Sequence, residues 1–294
     1  MTLSPASMAV LVFELALLIG GAVLLVRVWV VPELRKKWFE TNKLLPWPIT
    51  GWEVLLLVIL IFLTGTFVQS VAQFFLGGWL ARVEPLAMGT PAGGARIIVY
   101  GAGFHTGSLL GWLVFGWIRR AIQPEIGAPL PEIHAPAYRH PVLKVAVAAG
   151  SAMLVAMPLL ALTGLVWTLV LEAAGLPATP QDLLGIFTKT KSPAIFAGLL
   201  FVACVLAPAS EELLFRRGIY RYLRQRFGRA LALLVSSVLF GALHANWASF
   251  AQLAVLGTVF ALAYEKTGDI RVPIVAHALF NLNTVLLLFS GLPL

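Results

Sequence analysis

The chain alternates long apolar runs with short polar ones. Windows of about 20 apolar residues, the length that crosses a hydrocarbon core of roughly 30 Å, fall near residues 8–31, 52–76, 97–118, 143–173, 193–215, 231–248, 250–265 and 272–290. The pattern predicts an all-α bundle of about eight transmembrane helices. One stretch interrupts it. Residues 122–141, IQPEIGAPLPEIHAPAYRHP, carry Pro124, Pro129, Pro131, Pro136 and Pro141 and are too broken for a helix. This loop divides the chain into three N-terminal helices (residues 1–141) and a core of about five helices (residues 142–294). No internal repeat relates the two halves, which disfavours an inverted-repeat transporter.

Two local patterns refine this picture. In the third window Gly103, Gly107 and Gly111 recur every four residues and leave a flat stripe against which another helix can pack. His105 and Ser108 lie on the same helix and are read as packing hydrogen bonds. The stretch TPQDLLGIF, residues 179–187, has a Thr cap followed by a proline at the first helical position, which predicts a short interfacial helix.

Composition agrees with a membrane protein. Of the 294 residues, 60% are hydrophobic and 12% charged, with a mean hydropathy of +0.91, far from the balance of soluble domains. The net charge of +8 does not indicate nucleic acid, because the basic residues sit between apolar segments and not on a solvated face. They report topology. Residues 27–43, 119–144, 216–229 and 266–271 hold 17 of the 21 Lys and Arg, and alternate segments carrying such an excess face the cytoplasm. The first helix lacks a preceding basic residue and is followed by Arg35, Lys36 and Lys37, so it is expected to stay uncleaved with its N-terminus outside. The same parity places the C-terminus outside. Fourteen Arg against seven Lys, with frequent Ala, suggest a GC-rich bacterial source and hence a bacterial plasma membrane. The one cysteine, Cys204, excludes an intrachain disulfide and a Cys-rich metal site.

The chemistry concentrates in residues 207–229, APASEELLFRRGIYRYLRQRFGR. A carboxylate in a membrane helix costs roughly 2.5–3.5 kcal/mol on insertion scales, so Glu211 and Glu212 require a partner or a function. Glu212 has Arg216 four residues on, on the same face. Glu211 points about 100° away and has no local partner. If the chain turns at Phe227 and Gly228, His244 in SSVLFGALHANW returns to the depth of Glu211. In the last helix His277 and Asn281 stack on one face four residues apart. Polar groups converging at similar depth favour a site over separate helix contacts. His134 and His140 are read as solvated, and Glu14 and Glu53 as satisfied by helix contacts or the interface.

EELLFR (Glu211 to Arg216), FGALH (Phe240 to His244) and HALFN (His277 to Asn281) follow the patterns Glu-Glu-x-x-x-Arg, Phe-x-x-x-His and His-x-x-x-Asn. In that order the chain resembles the CAAX prenyl protease 2 and bacteriocin-processing (CPBP, or Abi) family of intramembrane endopeptidases, over roughly residues 143–294. The resemblance implies that Glu211 and His244 activate a water for attack on a peptide carbonyl, and that His277 and Asn281 stabilise the oxyanion. Glu212 and Arg216 then form a supporting ion pair, and Phe240 packs. A zinc ion held by Glu211, His244 and His277 is the alternative mode of activation, although no His-Glu-x-x-His pair is present. The expected partners are the lipid bilayer and a membrane-associated peptide or protein. Two rival functions are a non-catalytic immunity or scaffold protein of the same fold and, further off, a proton-coupled transporter.

Overall fold

The computed structural model describes residues 4–83, 93–122, 140–177 and 182–292. Most of the proline-rich stretch, with His134, and the Thr179 and Pro180 cap lie outside these residues. The regular elements among the described residues are all helices: α1 (Pro5–Val30), α2 (Pro32–Glu40), α3 (Gly51–Val83), α4 (Gly94–Ile122), α5 (Val142–Ala173), α6 (Asp182–Lys189), α7 (Pro193–Phe201), α8 (Ala207–Glu212), α9 (Arg221–Ala242), α10 (Trp247–Thr267) and α11 (Arg271–Ser290). π-helical segments Val202–Leu206 and Leu213–Tyr220 join α7 to α8 and α8 to α9.

Among the described residues, seven helical runs are long and apolar enough to cross a membrane. The chain is an integral membrane protein of the all-α kind. The expectation of about eight spans and the count of seven differ at one place. Pro193–Ala242 runs as a single 50-residue helix, but Gly228 inside it has φ 83° and ψ 176°, a backbone that glycine adopts without strain. The run therefore folds back there, as the Phe227 and Gly228 turn required. Its returning arm, residues 229–242, is only about 21 Å long at 1.5 Å per residue, shorter than the hydrocarbon core. His244 consequently lies beyond the end of α9, in the turn before α10, and not inside a helix of residues 231–248.

Capping chemistry sets several ends. Ser4 accepts from the Ser7 N–H at 3.0 Å ahead of Pro5, Asn246 does the same for Ser249 at 3.0 Å, and Gly268 closes α10 in the left-handed conformation. At the start of α3, Thr50 and Glu53 form a reciprocal capping box, with the Thr50 N–H on Glu53 Oε2 at 2.7 Å. Glu53 also pairs with Arg119 at 2.9 Å, so this acid is satisfied by helix contacts as expected. Glu14 is buried on α1 and faces Asn283 of α11.

The glycine stripe packs α4 on α3. A Cβ placed on Gly107 would lie 2.2 Å from the Thr64 carbonyl oxygen, and one on Gly111 would lie 2.6 Å from Thr64 Oγ1. Neither position admits any side chain. Elsewhere α5 supports the core, with Ala149 and Ala156 packed among Leu256, Phe260 and Ala276 of α10 and α11.

The basic segments meet at one end of the bundle. Arg221 donates to Leu45 O at 2.5 Å, Lys266 to Thr41 O at 3.0 Å, Arg271 to His140 O at 2.8 Å, and Arg119 to Pro48 O. These contacts are those that the alternation of charged loops requires, since all four segments must share a side. His140 is not simply solvated: its Nε2 lies 3.3 Å from Thr267 O and its N–H 3.4 Å from Asp269.

Candidate active site

The site is built on the irregular run from Pro193 to Tyr220. Pro208 lacks an N–H, so the turn before it cannot close normally. The helix widens instead, with the Ala207 N–H reaching Val202 O in the π register. In that register the next donor for Ala203 O would be residue 208, which has none. Asn281 of α11 fills the position, donating from Nδ2 to Ala203 O at 2.7 Å. π segments of this kind often mark functional sites, because they rotate the following side chains relative to a regular helix. Here they flank α8, which carries Ser210, Glu211 and Glu212.

The two adjacent acids face different surroundings. Glu212 is fully buried; its Oε2 lies 3.0 Å from Arg216 Nε, and its Oε1 lies 2.9 Å from His277 Nδ1. Arg216 also donates to Gly257 O at 3.2 Å, and its guanidinium stands 4.3 Å from the centre of the Phe240 ring. His277 lies nearly parallel to Phe260, with centroids 5.3 Å apart, and edge-on to Phe240 at 5.8 Å. Glu212, Arg216 and His277 thus form a buried polar cluster enclosed by aromatic rings. A buried ion pair of this kind is costly to break, since removing one partner strands the other charge in an apolar interior.

Glu211 faces outward into a cavity of about 200 Å³. Its Oε2 makes no hydrogen bond to the protein and lies 4.0 Å from His244 Nε2. His244 Nδ1 lies 2.8 Å from Phe240 O. A carbonyl oxygen only accepts, so Nδ1 carries a proton, and in the neutral ring Nε2 offers a lone pair towards Glu211. The spacing is too long for a direct hydrogen bond and suits one bridging water. Apolar walls surround the pair: Ile61 and Phe62 of α3, Phe104 of α4, and Leu214, Phe215 and Leu243.

The structure therefore brings Glu211 and His244 together as the sequence suggested. His277 and Asn281 stand elsewhere. They do not line this cavity; His277 is engaged by Glu212 and Asn281 by Ala203, and the Phe240 ring packs between His277 and His244. Among the described residues no three His, Cys, Asp or Glu side chains gather closely enough to hold a metal ion. The donor set Glu211, His244 and His277 does not fit a three-ligand zinc site, because His277 points to the other acid.

One cavity residue lies outside the site expected from the sequence. His105 of α4 lines the same cavity, with its Nδ1 2.7 Å from the Ser210 hydroxyl. The packing hydrogen bond expected of it is present, but its partner is the residue next to Glu211. Ser108, also on the cavity wall, donates within its own helix to Phe104 O at 2.8 Å. A lone histidine on an apolar helix was the available signal; what it faced was not in the sequence.

Comparison with known proteins places the same segment. Residues 193–283 match the family model described as type II CAAX prenyl endopeptidase Rce1-like. Over 89 residues the chain is 34% identical to a protein of Bacillus subtilis (strain 168) named "Putative membrane peptidase YdiL", covering 30% of this chain and 36% of that one. It is 31% identical over 124 residues to an "Uncharacterized 24.3 kDa protein" of Escherichia coli, covering 40% of this chain and 55% of the other. The chain thus spans about a third to a half of the length of these curated relatives. No solved structure matches it.

Proposed function

We propose that the chain, whose residues 193–283 match the Rce1-like model of type II CAAX prenyl endopeptidases, is an intramembrane endopeptidase in which Glu211 and His244 activate a water. The observation that carries this reading is the 4.0 Å gap between Glu211 Oε2 and His244 Nε2 at the cavity wall. A water in that gap donates one O–H to each acceptor and is left with its lone pairs directed at a third position, where a peptide carbonyl carbon can lie. As the water oxygen bonds to that carbon, Glu211 takes one proton. The proton passes to the amine nitrogen as the C–N bond breaks.

The remaining motif residues hold this pair. Contacts of Glu212 with Arg216 and His277 anchor α8 through the residue next to Glu211, and Asn281 stabilises the π turn from which α8 starts. In this conformation both act as positioning groups; the oxyanion role implied for His277 and Asn281 would require them to exchange these partners. No step is routed through a metal, since the donors do not converge. The apolar walls favour a hydrophobic segment of a membrane-associated peptide or protein as substrate, with the bacterial plasma membrane as its setting.

The test is hydrolysis of internally quenched apolar peptides by the purified protein, with and without a chelator. The expected result is cleavage that survives chelation and disappears in Glu211→Gln. Cleavage that needs an added metal would replace this mechanism.

A further inference from the structure

The N-terminal helices lie outside the segment that matches the family model, yet they form one side of the cavity and carry a basic group into it. We propose that His105 of α4 is a further substrate-binding residue, whose Nε2 accepts a hydrogen bond from a backbone N–H of the peptide beside the scissile bond. The inference rests on the endopeptidase reading of Glu211 and His244.

Hydrogen-bond accounting assigns the ring. The Ser210 hydroxyl has one proton and lies 3.1 Å from Ala207 O and 2.7 Å from His105 Nδ1. The proposal places that proton on Ala207 O, so that the hydroxyl accepts from an Nδ1–H of His105 and Nε2 is left as an acceptor. His244 is held in the same tautomer by Phe240 O. Two imidazoles with exposed Nε2 lone pairs thus share a cavity with one carboxylate, and His105 is within electrostatic reach of Glu211.

A peptide needs such an acceptor here. Its backbone N–H groups lose water on entering, and each that finds no partner costs affinity. Most of the wall is hydrocarbon. Glu211 and His244 are engaged with the water, and the Ser108 side chain is 2% exposed with its proton on Phe104 O. Among the described residues no protein donor occupies His105 Nε2, which leaves it open to the peptide. Its hydrogen bond to Ser210 holds it beside Glu211, so a peptide bound to it is drawn to the reacting pair.

Two substitutions separate this role from simple packing. His105→Asn places an amide nitrogen where Nδ1 was, keeping the donor to Ser210, and removes the acceptor. His105→Gln places an amide oxygen near the Nε2 position and gives up the Ser210 bond. With an internally quenched apolar peptide that the wild type cleaves, His105→Asn is expected to raise KM by about tenfold with kcat little changed, as loss of one uniform binding contact does. His105→Gln is expected to keep a KM close to wild type even where its detergent melting temperature falls. A wild-type KM in folded His105→Asn overturns the proposal. If His105→Asn does not fold, a raised KM in His105→Gln overturns it equally. Glu211→Gln is measured in parallel: if that variant still cleaves, the endopeptidase mechanism itself fails, whereas an inactive Glu211→Gln beside an unaffected His105→Asn defeats only the assignment of His105.

Discussion

The amide of Asn281 donates to the carbonyl oxygen of Ala203 at 2.7 Å, in the place where Pro208 supplies no N–H. A side chain from the last helix thereby completes the backbone bonding of the helix that carries Glu211. Asn281→Ala should destabilise the protein by about 1–3 kcal/mol, the cost of stranding a part-buried carbonyl, and should lower activity with it. In a Pro208→Ala background the backbone can bond itself, so the loss from Asn281→Ala should shrink. Detergent melting of the four proteins in this cycle checks it; equal losses in both backgrounds would contradict the pairing.

Glu211 and Glu212 are neighbours with separate tasks. Glu211→Gln and His244→Ala should each abolish peptide cleavage while leaving the melting temperature nearly unchanged, since Glu211 Oε2 has no protein hydrogen bond. Glu212→Ala should instead cost about 3–5 kcal/mol, because it leaves Arg216 charged and unpaired in the interior. Activity and melting measured together on all three variants separate the two behaviours. A Glu212→Ala protein as stable as wild type would refute the structural role.

Gly107 should tolerate nothing larger. Gly107→Ala drives a methyl into the Thr64 carbonyl, at 2.2 Å, whereas Gly150→Ala meets nothing within 4 Å. The first should separate α3 from α4 and widen the cavity, costing roughly 1–3 kcal/mol as overpacking does. The second should be neutral. Melting temperatures of the pair provide the comparison.

Asp269 gives the turn between α10 and α11 a dependence on pH. Burial pushes its carboxyl up, but hydrogen bonds from the Arg271 side chain and N–H and from the His140 N–H outweigh this and hold it below the ordinary value of 3.8. A carboxyl with a lowered folded-state pKa contributes stability that is complete above the unfolded value and is lost as pH falls through the folded one. Asp269→Asn should therefore be less stable than wild type at pH 7, and the difference should close as the pH is taken below about 4. A constant difference down to pH 3 would rule this out.

Orientation follows from the charged loops. Single cysteines introduced at Arg120 and Leu176 in a Cys204→Ser background should label from opposite sides of intact cells, with Arg120 cytoplasmic. Both positions are exposed in the structure. Equal accessibility would defeat the assignment.

Features that depend on local spacing can be read along the chain. Apolar runs long enough to cross a bilayer need no partner to be recognised, because the backbone in lipid must satisfy itself within a helix. The glycine stripe, the Glu212–Arg216 pair and the turn at Gly228 are likewise legible, since each involves residues close along the chain or a conformation that one residue type favours. The depth of His244 relative to Glu211 followed from counting residues to that turn. Which polar groups meet depends on how the helices pack. His277 joins Glu212 and not Glu211, Asn281 mends the carbonyl left by Pro208, and His105 crosses from α4 to Ser210. These contacts depend on helix rotation. The π segments on either side of α8 change that rotation, and a rule of 100° per residue assumes that they are absent.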